Sequence, residues 1–540
     1  MSTRADVVVV GSGASGVHAA YPLVEAGYRV TMLDVGHEDL TYEKLIPPAS
    51  FTELRRSDAA QHRYFLGDRL EGVAIGPSEA GPQITPPRSY VLRDSERLGP
   101  KRTRDFEALE SFALGGLASA WGAVSFPFND HELGGCGLPI EELRAHYEIV
   151  ARRIGVSGDS SDDLVPLRGG LDSLQSPLKL DHNASAILDR YHRLRSPFGA
   201  AGLYLGKAMV AALSSGLDDR EANSYTDMDF WANQGDSVYR PSITLRRLKS
   251  RANFTYQPGF LVTEFAEVDN RVEVRGRHLE GDVPQTFSAR TLILAAGAIG
   301  TTRLVLRSVR QHERKVPFVC NGHAYMPCLN YRSLGQPHAD RCHSLAQLTA
   351  IYDPTMDRRH LVQAQMYSYR SLLLFRLLKE TPLAYAEGLK ILRALAPQIV
   401  IWVIQHEDVA DERNYCVLRG SGANETLEIV HSDTPERQAQ QRKFEGRLAG
   451  FVRKLGCLPL KRVHPAHGSS VHYAGQLPMT DREMPLTTER SGRLRGTSAV
   501  YIADGAALAY LPAKGLTLTL MANANRIGTQ ISDRLRAAGD

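Results

Sequence analysis

The chain opens on a nucleotide-binding turn and closes, nearly 500 residues later, on what reads as the other wall of the same pocket. Residues 6–10, Asp-Val-Val-Val-Val, are a short β-branched run without alternation, the pattern of a strand buried on both faces. Gly11-Ser-Gly13-Ala14-Ser15-Gly16 follows at once, and residues 17–26 carry helical spacing that stops at Gly27. Gly11 permits the tight turn, Gly13 lets a pyrophosphate approach the backbone, and Gly16 lets helix and strand pack closely. The helix N-terminus then offers unpaired N–H groups and a positive dipole end to phosphate. A second strand at 29–34 ends in Asp34, placed to accept hydrogen bonds from an adenosine ribose. This order predicts a dinucleotide site and leaves NAD and FAD both open.

With 540 residues the chain has room for two or more lobes. A formal charge of +4 is small for that length, and no dense basic run argues for nucleic acid. Cys136, Cys320, Cys328, Cys342, Cys416 and Cys457 show no CxxC spacing and read as reduced, buried thiols. The first strand begins at residue 6, which leaves no room for a signal peptide, and no apolar run reaches the roughly 20 residues of a membrane span. A cytoplasmic location is the expectation.

Residues 38–110 are rich in prolines and charges and read as an irregular excursion or lid. A second glycine-rich turn carries Gly115, Gly116, Ser119, Trp121 and Gly122, and 141–154 reads as an amphipathic helix. Strand-like sequence returns near 254–262, a β-meander follows, and 289–296 is another buried strand running into Gly297 and a helix over 300–308. Residues 435–455 suggest a helix, and 498–503 a last strand before Asp504-Gly505. The expected architecture is α/β. A discontinuous Rossmann-like nucleotide domain (1–165, 240–315 and 460–540) is joined by an α+β substrate domain on an antiparallel sheet (166–239 and 316–459).

Four segments together resemble the glucose–methanol–choline family of FAD-dependent oxidoreductases: 11–16, the 115–122 turn, 297–308, and the region from His472 to Arg526. The resemblance implies non-covalent FAD, since the 115–123 turn lacks the histidine that some relatives use for attachment. It places Gly11, Gly13, Ala14, Ser15 and Gly16 at the pyrophosphate, Asp34 at the ribose and Val262 at the adenine. Gly115, Gly116, Ser119 and Gly122 would approach the isoalloxazine or ribityl chain. Asp504 and Gly505 would reach the phosphate–ribityl region, with Gly297 and Thr517 completing the cofactor set.

The family's catalytic segment, H-x-x-G-T-x-x-M, is matched by His472-Tyr-Ala-Gly475-Gln476-Leu-Pro-Met479, with Gln in place of Thr. The resemblance makes His472 the base that takes an alcohol proton while hydride leaves for flavin N5. A metal reading of His464, His467 and His472 is set aside because the spacing is not a ligand pattern. The family's second His or Asn falls at Gly515, so Lys514 becomes the candidate for stabilising an alkoxide or reduced flavin, against a phosphate- or solvent-facing alternative.

Residues 368–404 mix apolar residues with Arg370, Arg376, Lys379, Lys390 and Arg393. They read as core helices with snorkelling arginines or, second, as a basic helix pair on an anionic membrane. Trp121, Trp231, Tyr239 and Arg240 fall near blocks resembling the family's pocket edge. The expected function is oxidation of a hydroxyl on a sugar, polyol or natural-product or lipid-linked intermediate, with O2 or another acceptor reoxidising the flavin. A redox-neutral flavoprotein such as a lyase, or a membrane-associated flavin-binding scaffold, are the alternatives.

Overall fold

A computed structural model describes residues 3–70, 84–336, 342–368, 382 and 384–539. The first strand, Thr3–Val10, sits in the middle of a seven-stranded sheet. It pairs in parallel with Val30–Leu33 on one side and Pro284–Leu294 on the other. Its unbroken valines follow from that position. Val7 and Val9 pack among the helices Ala14–Glu25 and Thr517–Ala537, while Val8 and Val10 enter a second apolar cluster on the opposite face. A strand covered on both faces needs apolar residues at every position.

Pro284–Leu294 changes partner along its length. Its first half pairs antiparallel with Arg271–His278, and its last three residues pair in parallel with Val500–Ile502. Phe260–Val268 completes the meander, and Phe254–Gln257 adds a parallel edge beside Val30–Leu33. The carboxyl ends of four parallel strands, Val10, Leu33, Leu294 and Ile502, therefore open toward one end of the sheet. Ligand crevices in open α/β sheets form at that end. The terminal helix crosses the first helix so closely that a Cβ on Gly528 would stand 2.2 Å from the Ala19 carbonyl oxygen.

A second sheet of six antiparallel strands runs in the order Cys457–Pro459, His323–Asn330, Ile399–Gln405, Val362–Ser368, Leu348–Tyr352, Leu203–Lys207. Its alternate residues, among them Met326, Cys328, Ala350, Ala364 and Trp402, form an apolar cluster with residues of the helices His182–Arg193 and Pro435–Lys454. A small sheet of Lys101–Arg104, Thr426–Val430, Tyr415–Arg419 and Val316–Pro317 ties the early excursion to this lobe. The two lobes also meet where Val319–Cys320 pairs antiparallel with Tyr473–Ala474.

The helix-pair reading of 368–404 is corrected in its second half. Ile399–Gln405 is a strand, its Ile-Val-Ile-Trp-Val-Ile run alternating between a buried face (Val400, Trp402, Ile404) and a half-buried one (Ile401, Val403). Tyr385–Leu395 is helical, while 369–381 and 383, including Arg370, Arg376 and Lys379, lie outside the described residues. Among the described residues no helix is long and apolar enough to cross a membrane.

Candidate active site

The strand ends open into a cleft of about 680 Å3, inside the range of small-molecule and cofactor sites. Its floor is the first turn. Gly11 has φ +97°, and a Cβ there would also meet the Ala295 carbonyl oxygen at 2.5 Å. A Cβ on Gly16 would stand 1.9 Å from the Gly11 carbonyl oxygen. Gly13 differs from both, since the nearest atom to a Cβ would be the Gly115 carbonyl oxygen at 3.8 Å. Protein packing requires glycine at 11 and 16, whereas at 13 the open side faces the cleft. The helix starting at Ala14 aims its free N–H groups into that space.

The ribose candidate Asp34 lines the same cleft and accepts from the Ser12 hydroxyl and, at 3.1 Å, from Tyr256. Burial pushes its carboxyl up to about 6 against these hydrogen bonds. Ser12 also accepts from the Gly115 N–H at 2.9 Å, joining the two glycine turns. Ser12 and Tyr256 escape sequence reasoning. One occupies a variable position of the loop, and the other arrives from a strand more than 200 residues away.

Gly11, Gly13, Ala14, Ser15, Asp34, Gly115, Gly116, Val262, Gly297, His472, Asp504, Gly505 and Thr517 all line this cleft. Gly16, Ser119, Gly122 and Lys514 do not. Ser119 instead holds the second turn, donating to the Leu114 carbonyl at 2.7 Å. Asp504 accepts from Thr301 and from the Ala506 N–H at 3.0 Å, pinning the last strand to the Ala298–Ser308 helix. Burial raises its carboxyl to about 6. Glu110 and Arg303, a buried bidentate pair at 2.7 and 2.9 Å, complete one wall.

His472 enters the cleft after Val471, whose φ of +60° is a strained conformation for a β-branched residue. The imidazole keeps accessible surface although protein encloses it, and that burial pushes its pKa down to about 4. The imidazole is therefore neutral near pH 7. Its Nδ1 lies 3.1 Å from Oδ1 of Asn321, a residue the motif does not contain. Gln476, two residues into the same loop past Ala474, is fully buried with neither amide atom hydrogen-bonded.

Lys514 is the principal correction. It is fully buried away from the cleft, where its ammonium pairs with Glu132 at 2.6 Å, donates to the Leu167 carbonyl at 2.9 Å and lies over the Phe126 ring. A lysine so enclosed is stable only with its carboxylate, and here the pair joins two segments outside the cleft lining. The pocket-edge reading also changes. Tyr239 is fully buried, with its hydroxyl between His18 and Thr244, and Trp231 packs edge-on to Phe65. Trp121 donates to the Tyr239 carbonyl, and Arg240 is buried nearby. None of the four lines the cleft.

Neither a protein-family model nor any curated protein matches the sequence. Solved structures do match its fold. Pyridoxine 4-oxidase from Mesorbium loti superposes with a TM-score of 0.58 at 12% identity, over 97% of this chain and 99% of that one. An FAD-dependent oxidoreductase from Chaetomium thermophilum, solved with a bound fragment, gives a TM-score of 0.59 at 13% identity, over 98% and 100%. The chain has, over nearly its full length, the mixed α/β fold of these FAD-dependent oxidoreductases.

Proposed function

We propose that the protein is an FAD-dependent oxidoreductase of the glucose–methanol–choline type that oxidises a hydroxyl group of a small-molecule alcohol. The carrying observation is that a desolvated, neutral His472 and residues Gly11, Ser12, Gly13, Ala14 and Ser15 of the glycine turn line one cleft. The parallel sheet would be the Rossmann-like half, and the six-stranded sheet the substrate half. The residues fit FAD: Gly13 leaves its open side to the pyrophosphate, the helix at Ala14 supplies N–H donors, and Asp34 offers a ribose acceptor. Bound FAD would supply the hydride acceptor.

The chain's own contribution is proton management. His472 accepts the hydroxyl proton, and its depressed pKa keeps it ready at neutral and mildly acidic pH. The withdrawal of Lys514 leaves it without a charged partner from that segment. A redox-neutral reaction on the same scaffold is the second reading, favoured by the missing side chain at Gly515. Reoxidation by O2 or another acceptor, and a cytoplasmic location, go with the first. Peripheral membrane contact, within 368–404, would fall to the helix Tyr385–Leu395.

The test is anaerobic. The purified protein should carry flavin absorbance, and an alcohol panel that includes pyridoxine, for the first neighbour's name, should bleach it. A colourless protein that takes up no FAD contradicts the cofactor. Turnover of a hydroxylated compound with no reduced flavin would select the redox-neutral reaction.

A further inference from the structure

The region around His472 holds three other histidines that meet buried carboxylates. His431 lies 2.9 Å from Asp408, and His406 and His464 lie 3.3 and 2.9 Å from Glu445. A carboxylate orients an imidazole and also stabilises its charged form. His472 is built differently. Its hydrogen-bond partner is the neutral amide of Asn321, itself 2% exposed.

The orientation of that amide is determined by what surrounds it. Asn321 Nδ2 stands 2.7 Å from the His406 carbonyl oxygen and 2.9 Å from that of Pro512. Only an NH2 group can face two carbonyl oxygens, so Oδ1 is the atom turned to His472. An oxygen acceptor there requires hydrogen on Nδ1, and a neutral ring then carries its lone pair on Nε2. The backbone repeats the constraint. Asn321 follows Val319–Cys320, whose pairing with Tyr473–Ala474 brings it opposite His472. The Cys320 N–H donates to Asp408 at 2.6 Å.

We propose that Asn321 is the positioning residue of the base: it holds the proton on His472 Nδ1 and leaves Nε2 as the proton acceptor. The use made of Nε2 rests on the oxidoreductase reading; the tautomer itself does not. Because the partner is a neutral amide, it orients the ring while stabilising imidazolium less than a carboxylate would, and burial keeps the base unprotonated into acidic solution. The other titratable groups near the ring do not change this balance. His323 approaches from the strand His323–Asn330 and is itself kept neutral by burial, while burial raises the Cys320 thiol and the Tyr473 hydroxyl. Asp408, the carboxylate behind Cys320, is occupied by His431, Arg437 and the Cys320 N–H.

The experiment is 15N NMR of FAD-loaded protein labelled with [15N]histidine, with the His472 signals identified by their loss in His472→Gln. Nδ1 should appear protonated and Nε2 unprotonated from about pH 8 to about pH 5. Asn321→Ala should yield a mixture of tautomers. Asn321→Asp should keep the tautomer and raise the titration midpoint by roughly 1–3 units, the effect of an adjacent opposite charge. If the carboxylate variant does not fold beside Asp408, Asn321→Ala decides alone. A hydrogen on Nε2 in the unmodified protein, or an Asn321→Ala spectrum with its tautomer unchanged, overturns the proposal. No alcohol is required, so failure of every alcohol to bleach the flavin would count against the proposed reaction and leave the tautomer result standing.

Discussion

The two ends of the cleft are built on different principles. At the glycine turn, one continuous stretch of chain makes the strand, the turn and the helix N-terminus, and Gly11 and Gly16 are required by contacts within the protein. At His472, four distant segments converge: the strained Val471–His472 step, Asn321, the His406 carbonyl and the Pro512 carbonyl. The first end would bind through backbone, and the second would react through one side chain held by others. Local construction tolerates few substitutions, while dispersed construction fails one function at a time.

The sharpest way to break that contrast lies inside the glycine turn. Gly16→Val should prevent accumulation of folded protein, because its Cβ alone would overlap the Gly11 carbonyl oxygen. Gly13→Val should fold, with a far-UV spectrum like that of the parent, and yet purify without flavin. Loss of folding in both variants would mean that position 13 serves packing as well.

The next largest effect belongs to the buried pair Lys514–Glu132. Glu132→Ala leaves an ammonium without its carboxylate and should cost about 3–5 kcal/mol in denaturant unfolding. Lys514→Met with Glu132→Leu should recover much of that loss. If Lys514 worked at the flavin instead, the double variant would be stable but defective in flavin reduction.

A smaller effect separates the ends by pH. Asp504 titrates near 6 in the folded protein, against an ordinary value of 3.8. Its folded form favours the neutral carboxyl, so its contribution to stability is present below about pH 4 and is lost as pH rises through about 6. The linked change is on the order of 3 kcal/mol. Asp504→Asn should flatten this part of the stability profile in the flavin-free protein. His472→Ala should change the profile in the opposite sense, since a pKa lowered from 6.5 to about 4 contributes stability that is present above about pH 6.5 and is lost as pH falls through about 4.

The same contrast explains what was legible in the sequence. Glycine spacing, a β-branched strand and a strand-end Asp34 are short-range signals, and the structure brings them together at one crevice. Asn321 was not legible, because its tie to His472 crosses 151 residues and depends on a two-residue strand pairing. Lys514 was misread for the same reason. Its neighbours in sequence suggested the flavin, whereas its partner Glu132 lies 382 residues away. Ile399–Gln405 shows the limit of pattern alone, since a short apolar run fits a buried helix or a central strand until its neighbours are known.

The proposed chemistry turns on one nitrogen, and the direct measurement is anaerobic rapid mixing of the FAD-loaded protein and of His472→Ala with an alcohol that bleaches the parent. The variant should keep its flavin spectrum and be reduced roughly a hundredfold more slowly or worse, the scale of a lost general base. Reduction at the parental rate with flavin fully bound would contradict the assignment of the base to His472.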